Sequence, residues 1–189
     1  MVKQRLKRFL SQRQKLRNHE AGLIPSAVLI PIFYKQGEYH ILFTKRTEKV
    51  RVHKGQISFP GGAYEETDGT LLNTALREGA EEISLTAEDI EVLGELDDIP
   101  TIGSDYIISP FVAFIRWPYP FKLDPWEVAE IIEVPITALL DEACVIQETA
   151  TRRGQPVASY SYLYQEEVIW GASARILHQF LEIWLAVKD

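Results

Sequence analysis

"FPGGAYEETDGTLLNTALREGAEEISL", residues 59–85, joins a strand-like ending to a glycine pair and then to a segment with helical periodicity. Leu71, Leu72, Ala75, Leu76, Ala80 and Ile83 recur at helical spacing, so the pattern predicts a helix from about Thr70 to Ser84 with one apolar face. The acidic side chains are expected to point the other way. Glu78 and Glu82 fall one turn apart on one side, and Glu81 sits beside them. Like charges at this spacing repel and cost a few tenths of a kcal/mol per pair. A hard divalent cation would relieve that repulsion, because Mg2+ prefers oxygen ligands and keeps waters that substrate phosphates can replace. Arg77 is placed to pair with a neighbouring carboxylate and fix its orientation. Gly61 and Gly62 allow the backbone to approach a metal or a phosphate closely. Read alone, "REGAEE" also suits a solvated helix face.

Outward from this stretch, Ala27–Phe33 and Tyr39–Lys45 read as a hairpin across "KQGE", residues 46–55 as a polar, basic loop, and Gln56–Phe59 as a short strand. Downstream, "IEVLGEL" and "YIISPFVAFI" read as strands, and Pro118, Pro120 and Pro125 mark an irregular loop. "EVPITALLDEA" starts on a strand end and turns into a short helix. "VASYSYLY" and "EEVIWG" are strands, and Ala172–Val187 is a closing helix with Ile176, Leu177, Phe180, Leu181 and Trp184 inward. Strands and helices interspersed with hairpins imply an α/β fold, a mixed sheet sandwiched between helices.

The 189 residues, 46% hydrophobic, suit one globular domain. Residues 1–20 form a basic helical arm and 21–189 the domain. Lys3, Arg5, Lys7, Arg8, Arg13, Lys15 and Arg17 give residues 1–19 a charge of +7, while the remaining 13 basic and 27 acidic residues make the rest −14. An acidic body repels nucleic acid everywhere except at such an arm, so nucleic acid is not an expected partner. Val2, Leu6, Phe9, Leu10 and Leu16 form an amphipathic stripe that packs on the body or on a second copy, which leaves a homodimer open. Cys144 is the only cysteine, and no secretory-type apolar segment opens the sequence; a cytoplasmic setting is expected. The longest apolar stretches are interrupted by Pro25, Pro31 and Pro110, too short for a bilayer span, so no membrane partner is expected.

The segment Gly62–Leu85 resembles a Nudix box, the strand–loop–helix motif G-x5-E-x7-R-E-U-x-E-E-x-G-U with U aliphatic. Arg77, Glu78, Glu81, Glu82 and Leu85 match it. Asp68 replaces the earlier glutamate, the spacer to Arg77 is one residue longer than in the motif, Gly79 holds the first U and Ser84 the late glycine. Upstream, "LFTKRTEKVRVHKGQISFPGG", residues 42–62, is similar to L-L-T-x-R-(S/A)-x3-(R/K)-x3-G-x3-F-P-G-G of the coenzyme A pyrophosphatase branch. Thr44, Arg46, Arg51, Gly55, Phe59, Pro60, Gly61 and Gly62 match in register, and Phe43 and Thr47 depart. The resemblance implies a Nudix-type α/β/α sandwich and metal-dependent hydrolysis of a small molecule with a diphosphate bridge, coenzyme A or a derivative, to 3',5'-ADP and 4'-phosphopantetheine. It implies Glu78, Glu82 and Glu81 as ligands of Mg2+ or Mn2+. Glu127, with Glu81 as rival, is the candidate general base. Arg46, Arg51, Lys54, Gly61 and Gly62 are the expected substrate contacts, with His53 adding to the basic loop. Competing readings are a Nudix hydrolase for ADP-ribose, a dinucleotide or an oxidised nucleotide, and a non-catalytic nucleotide or RNA sensor that uses the arm.

Overall fold

The computed structural model describes residues 2–18, 20–49 and 54–188. Its main sheet is built around β1 (Ile24–Lys35), which runs parallel to β7 (Tyr106–Ile115) along one side. The other side of β1 pairs antiparallel with β4 (Gly61–Ala63) and then with β2 (Glu38–Arg46) across the predicted hairpin. β3 (Ile57–Ser58) and β8 (Val128–Pro135) flank β2, while β5 (Ile90–Glu95) and β6 (Ile99–Pro100) pair with β7. One parallel pair among antiparallel ones makes this the mixed sheet the sequence predicts.

Alternation along β1 sorts its side chains onto two cores, as a strand buried on both faces requires. Ala27, Leu29 and Phe33 face one side with Ala75 and Ile83 of α2 (Leu71–Ile83). Ile30 and Ile32 face the other, with Leu177 and Phe180 of α4 (Gly171–Val187). The closing helix buries all five of its predicted inward residues. Two elements depart from the expected pattern. β8 occupies the whole of 128–135 and continues into α3 (Ile136–Leu139), where only a strand end is legible. A further strand, β9 (Val145–Arg152), pairs with β10 (Gln155–Tyr164), which also pairs with β11 (Glu167–Trp170) in a second, three-stranded sheet. Most of β9 is exposed, so its sequence lacks the apolar alternation by which strands are recognised.

The basic arm forms α1 (Val2–Gln12), whose Leu6 and Leu10 are buried in the α4-side core, so that part of the stripe packs on the body, while Phe9 and Leu16, the latter beyond the helix, are exposed. Its cations meet the acidic surface: Lys3 and Lys7 both bind Glu91, Arg13 binds Asp97, and Lys15 bridges Glu95 and Asp98. The lysine hydrogen bonds hold the Glu91 carboxyl down to about 2. Much of the charge that in the sequence reads as available to a polyanion is therefore paired within the molecule. No helix among the described residues is long and apolar enough to cross a membrane.

Close approach of α1 to β5 depends on Gly94, which sits at φ +152° beside a register shift in the β5–β7 pairing. A Cβ there would lie 2.5 Å from Leu10 Cβ. Gly94→Ala is expected to cost about 2 kcal/mol from backbone strain and overpacking, lowering the thermal midpoint and exposing α1 to proteolysis. An unchanged midpoint would show that α1 contributes nothing to the fold.

Candidate active site

α2 begins at Thr70, whose hydroxyl accepts the Asn73 backbone N–H at 3.2 Å, and ends at Ser84 in the left-handed conformation. Helix ends leave carbonyls without intrahelical partners, and here the proline-rich loop supplies them. Lys122 N–H donates to Ile83 O at 3.3 Å and Asp124 N–H to Glu82 O at 2.9 Å, while Tyr119 Oη donates to Ser84 O at 2.9 Å. Trp117 adds a stacked contact on Phe33, with centroids 4.3 Å apart. Capping the helix thus fixes the path of the loop, and the loop delivers Glu127 to the helix's acidic side.

Arg77 organises that side. Its Nε and Nη2 grip Asp68 at 2.8 and 3.2 Å, Nη1 donates to Glu78 Oε1 at 2.9 Å and Glu81 Oε2 at 3.0 Å, and Nη2 reaches Ala63 O at 3.0 Å. A planar guanidinium is suited to such a fork. Asp68 is buried, accepts Thr74 Oγ1–H at 2.8 Å and the Glu65 N–H at 3.0 Å, and is held well below the usual carboxylate range, chiefly by Arg77. Asp68 and its long spacer, departures from the box in sequence, therefore form the anchor of Arg77.

The glutamates do not all point away from the apolar face. Glu82 is 4% exposed, its Oε2 has no hydrogen-bond partner, and its carboxyl is pushed up to about 8 by burial first and then by the charges of Glu78 and Glu127. Arg46 and the Gly61 backbone act in the opposite direction. Burial also raises the Glu78 carboxyl, against the pull of Arg77. Glu78 lies over β4 because residue 62 is glycine: a Cβ there would stand 2.3 Å from Glu78 Oε1. Gly61 has the same kind of restriction on its other side, where a Cβ would meet Ala27 O at 2.3 Å. Arg46, at the end of β2, places Nη2 3.9 Å from Glu127 Oε2, and its Nε is buried without a partner.

Glu78, Glu82, Glu127 and Arg46 are thus brought within one another's electrostatic reach. Glu81 is more exposed and turned onto Arg77, Lys54 is exposed in a turn, and Arg51 and His53 lie outside the described residues. Among the described residues no three acidic, histidine or cysteine side chains stand at metal-ligand spacing in the protein alone; Glu78 and Glu81 share Arg77. A hard dication nevertheless fits the donor set: the orphaned Glu82 oxygen is buried beside a second carboxylate, an arrangement that a positive charge would stabilise. Burial of Glu82 has no separate signal in the sequence, since its position on the helix follows from the site and not from the apolar periodicity.

In the folded state Glu82 keeps its proton up to about pH 8, against 4.5 for an ordinary glutamate, so the folded form binds the extra proton between those values. Stability from this group therefore falls as pH rises through that window and levels off above it. Without metal, Glu82→Gln is expected to raise the thermal midpoint at pH 8.5 by about 3–6 °C, the shift that 1–2 kcal/mol produces in a domain of this size, with the gain shrinking towards pH 5. A loss of stability across the whole range would contradict the burial of a strained charge.

Residues 23–155 match the NUDIX domain family. The chain is 36% identical over 157 residues to an uncharacterized Nudix hydrolase, NudL, of Photorhabdus laumondii subsp. laumondii, covering 83% of each chain. It is 30% identical over 183 residues to NudL of Escherichia coli strain SMS-3-5, covering 97% of this chain and 94% of that protein. Among solved structures, a MutT/nudix family protein from Enterococcus faecalis superposes with TM-score 0.59 at 16% identity, covering 91% of this chain and 66% of that one, which bears on the fold alone. With a matching domain over most of its length and relatives of this similarity, the chain belongs to the Nudix family of hydrolases.

Proposed function

We propose that the protein hydrolyses the diphosphate bridge of coenzyme A or a close derivative, releasing 3',5'-ADP and 4'-phosphopantetheine, with Mg2+ or Mn2+. Nudix hydrolases use divalent cations and act on small nucleotide-diphosphate compounds; the choice of coenzyme A rests on the segment 42–62. The observation that carries it is Arg46, a cation of that segment, which lies beside both Glu82 and Glu127. The basic side chain of Arg46 stands beside the acidic helix, which supports a substrate that bears an extra phosphate.

Glu78 and Glu82 would hold the metal, with Glu81 joining once released from Arg77. The bound dication would neutralise charge on the phosphoanhydride and acidify water. Glu127 is half-exposed at the mouth of this group, on a loop anchored to α2, and is suited to accept the proton of an attacking water. Attack forms a new P–O bond, the bridging P–O bond breaks, and the departing phosphate keeps the bond's electrons. Arg46 balances the charge gathered on Glu127 and on the substrate. Arg77 acts indirectly, orienting Glu78 from its Asp68 anchor. Cys144 is a free thiol, which supports a reducing, cytoplasmic setting.

Incubating coenzyme A, 3'-dephospho-coenzyme A, ADP-ribose and a reduced dinucleotide with Mg2+ or Mn2+, and weighing the products, tests the assignment. Coenzyme A should be cleaved fastest, with the dephospho form slower by on the order of 10-fold, the worth of a lost charge-assisted contact. Equal rates for the two would remove the basic segment's role. Glu78→Gln should remain folded yet lose turnover by orders of magnitude; retained turnover would displace Glu78 from the site.

A further inference from the structure

Beside the acidic group stands a side chain that neither the box nor the extended signature accounts for. Trp126 is 70% exposed, although its neighbours in the chain, Asp124, Pro125 and Glu127, are polar or small. The loop that carries this indole is anchored through its backbone. The Trp126 backbone N–H donates to Asp124 Oδ1 at 2.8 Å, and its backbone carbonyl accepts Thr47 Oγ1–H. Thr47 N–H donates to Glu127 O at 2.9 Å, and Asp124 N–H donates to Glu82 O at 2.9 Å, so the same loop is bonded to both β2's end and the site helix. Lys49 caps one side of the ring, its Nζ 5.2 Å from the centroid and 3.0 Å from Pro125 O.

The indole therefore presents a large apolar face, one residue from Glu127, next to a cation. Trp170 is also exposed, but it shares an outer sheet face with the exposed Ile146, Leu163 and Val168. Trp126 touches no other ring among the described residues and belongs to no such patch, so it matches a single flat ligand better than a protein surface.

We propose that Trp126 is the stacking platform for the planar heteroaromatic base of the substrate, with Lys49 supplying charge to the phosphates beside it. This rests on the nucleotide-diphosphate reading above, not on coenzyme A in particular. An aromatic face takes any base, so Trp126 governs binding of base-bearing substrates and leaves the choice among them to other contacts. Being exposed, it can be replaced without loss of the fold.

Two readouts test it. Indole fluorescence is followed while 3',5'-ADP, ADP-ribose or adenosine tetraphosphate is added to the metal-free protein, with Trp126→Phe as the control. Quenching by at least one of these that disappears in Trp126→Phe is expected. Steady-state turnover should then show Trp126→Ala raising KM by on the order of 10-fold and far more than it lowers kcat, with Trp126→Tyr close to the parent. Quenching by ADP-ribose but not by 3',5'-ADP would uphold the platform and count against coenzyme A. Cleavage of coenzyme A with KM unmoved in Trp126→Ala, or quenching that persists in Trp126→Phe, would overturn the platform and leave the coenzyme A reading standing. Absence of quenching by every nucleotide also overturns it.

Discussion

A carboxylate buried beside other carboxylates is the constraint to which the rest of the architecture answers. Glu82 has one oxygen without a partner and like charges for neighbours, an unfavourable state that no isolated helix would adopt. It persists because α2 is held from both ends, by the Thr70 cap and by a proline-rich loop that satisfies its last carbonyls. Its apolar side is locked against β1 and β7 in the same core. The scaffold's packing energy thus maintains a local electrostatic strain that only a cation, or a proton, relieves.

Arg77 shows how the same helix manages its remaining charge. By bonding Asp68, Glu78, Glu81 and Ala63 at once, it ties the loop before the helix to the carboxylates on it. Glycine at 62 completes the arrangement by leaving room for the Glu78 carboxylate over β4. Holding Glu78 and Glu81 on one guanidinium fixes the orientation of both side chains. A dication bound here, as proposed above, would compete with Arg77 for the same carboxylate oxygens.

Much of this was legible in the residues because periodicity and capping chemistry are local. The helix from Thr70 to Ser84, the first hairpin and the inward face of the last helix all follow from spacing that their packing preserves. β9 escaped because a strand exposed along most of its length carries no alternation, and β8 because its apolar residues are split by Glu130 and Glu133. Arg46 and Glu127 could be named as candidates, but their meeting depends on the loop's attachment to the end of α2, a long-range contact invisible to spacing. The basic arm shows the same limit: its amphipathic stripe is legible as a packing face, but the carboxylates its cations meet, Glu91, Glu95, Asp97 and Asp98, lie far along the chain and are not.

The central claim is that the pocket of Glu82 is built for a divalent cation. Titrating Mn2+ into the substrate-free protein, with the free ion followed by electron paramagnetic resonance, tests it directly. The account predicts saturable binding that tightens from pH 6.5 to pH 8.5, as Glu82 gives up its proton, and that is largely lost in Glu82→Gln. Binding of equal strength in the variant and the parent, independent of pH, would contradict it.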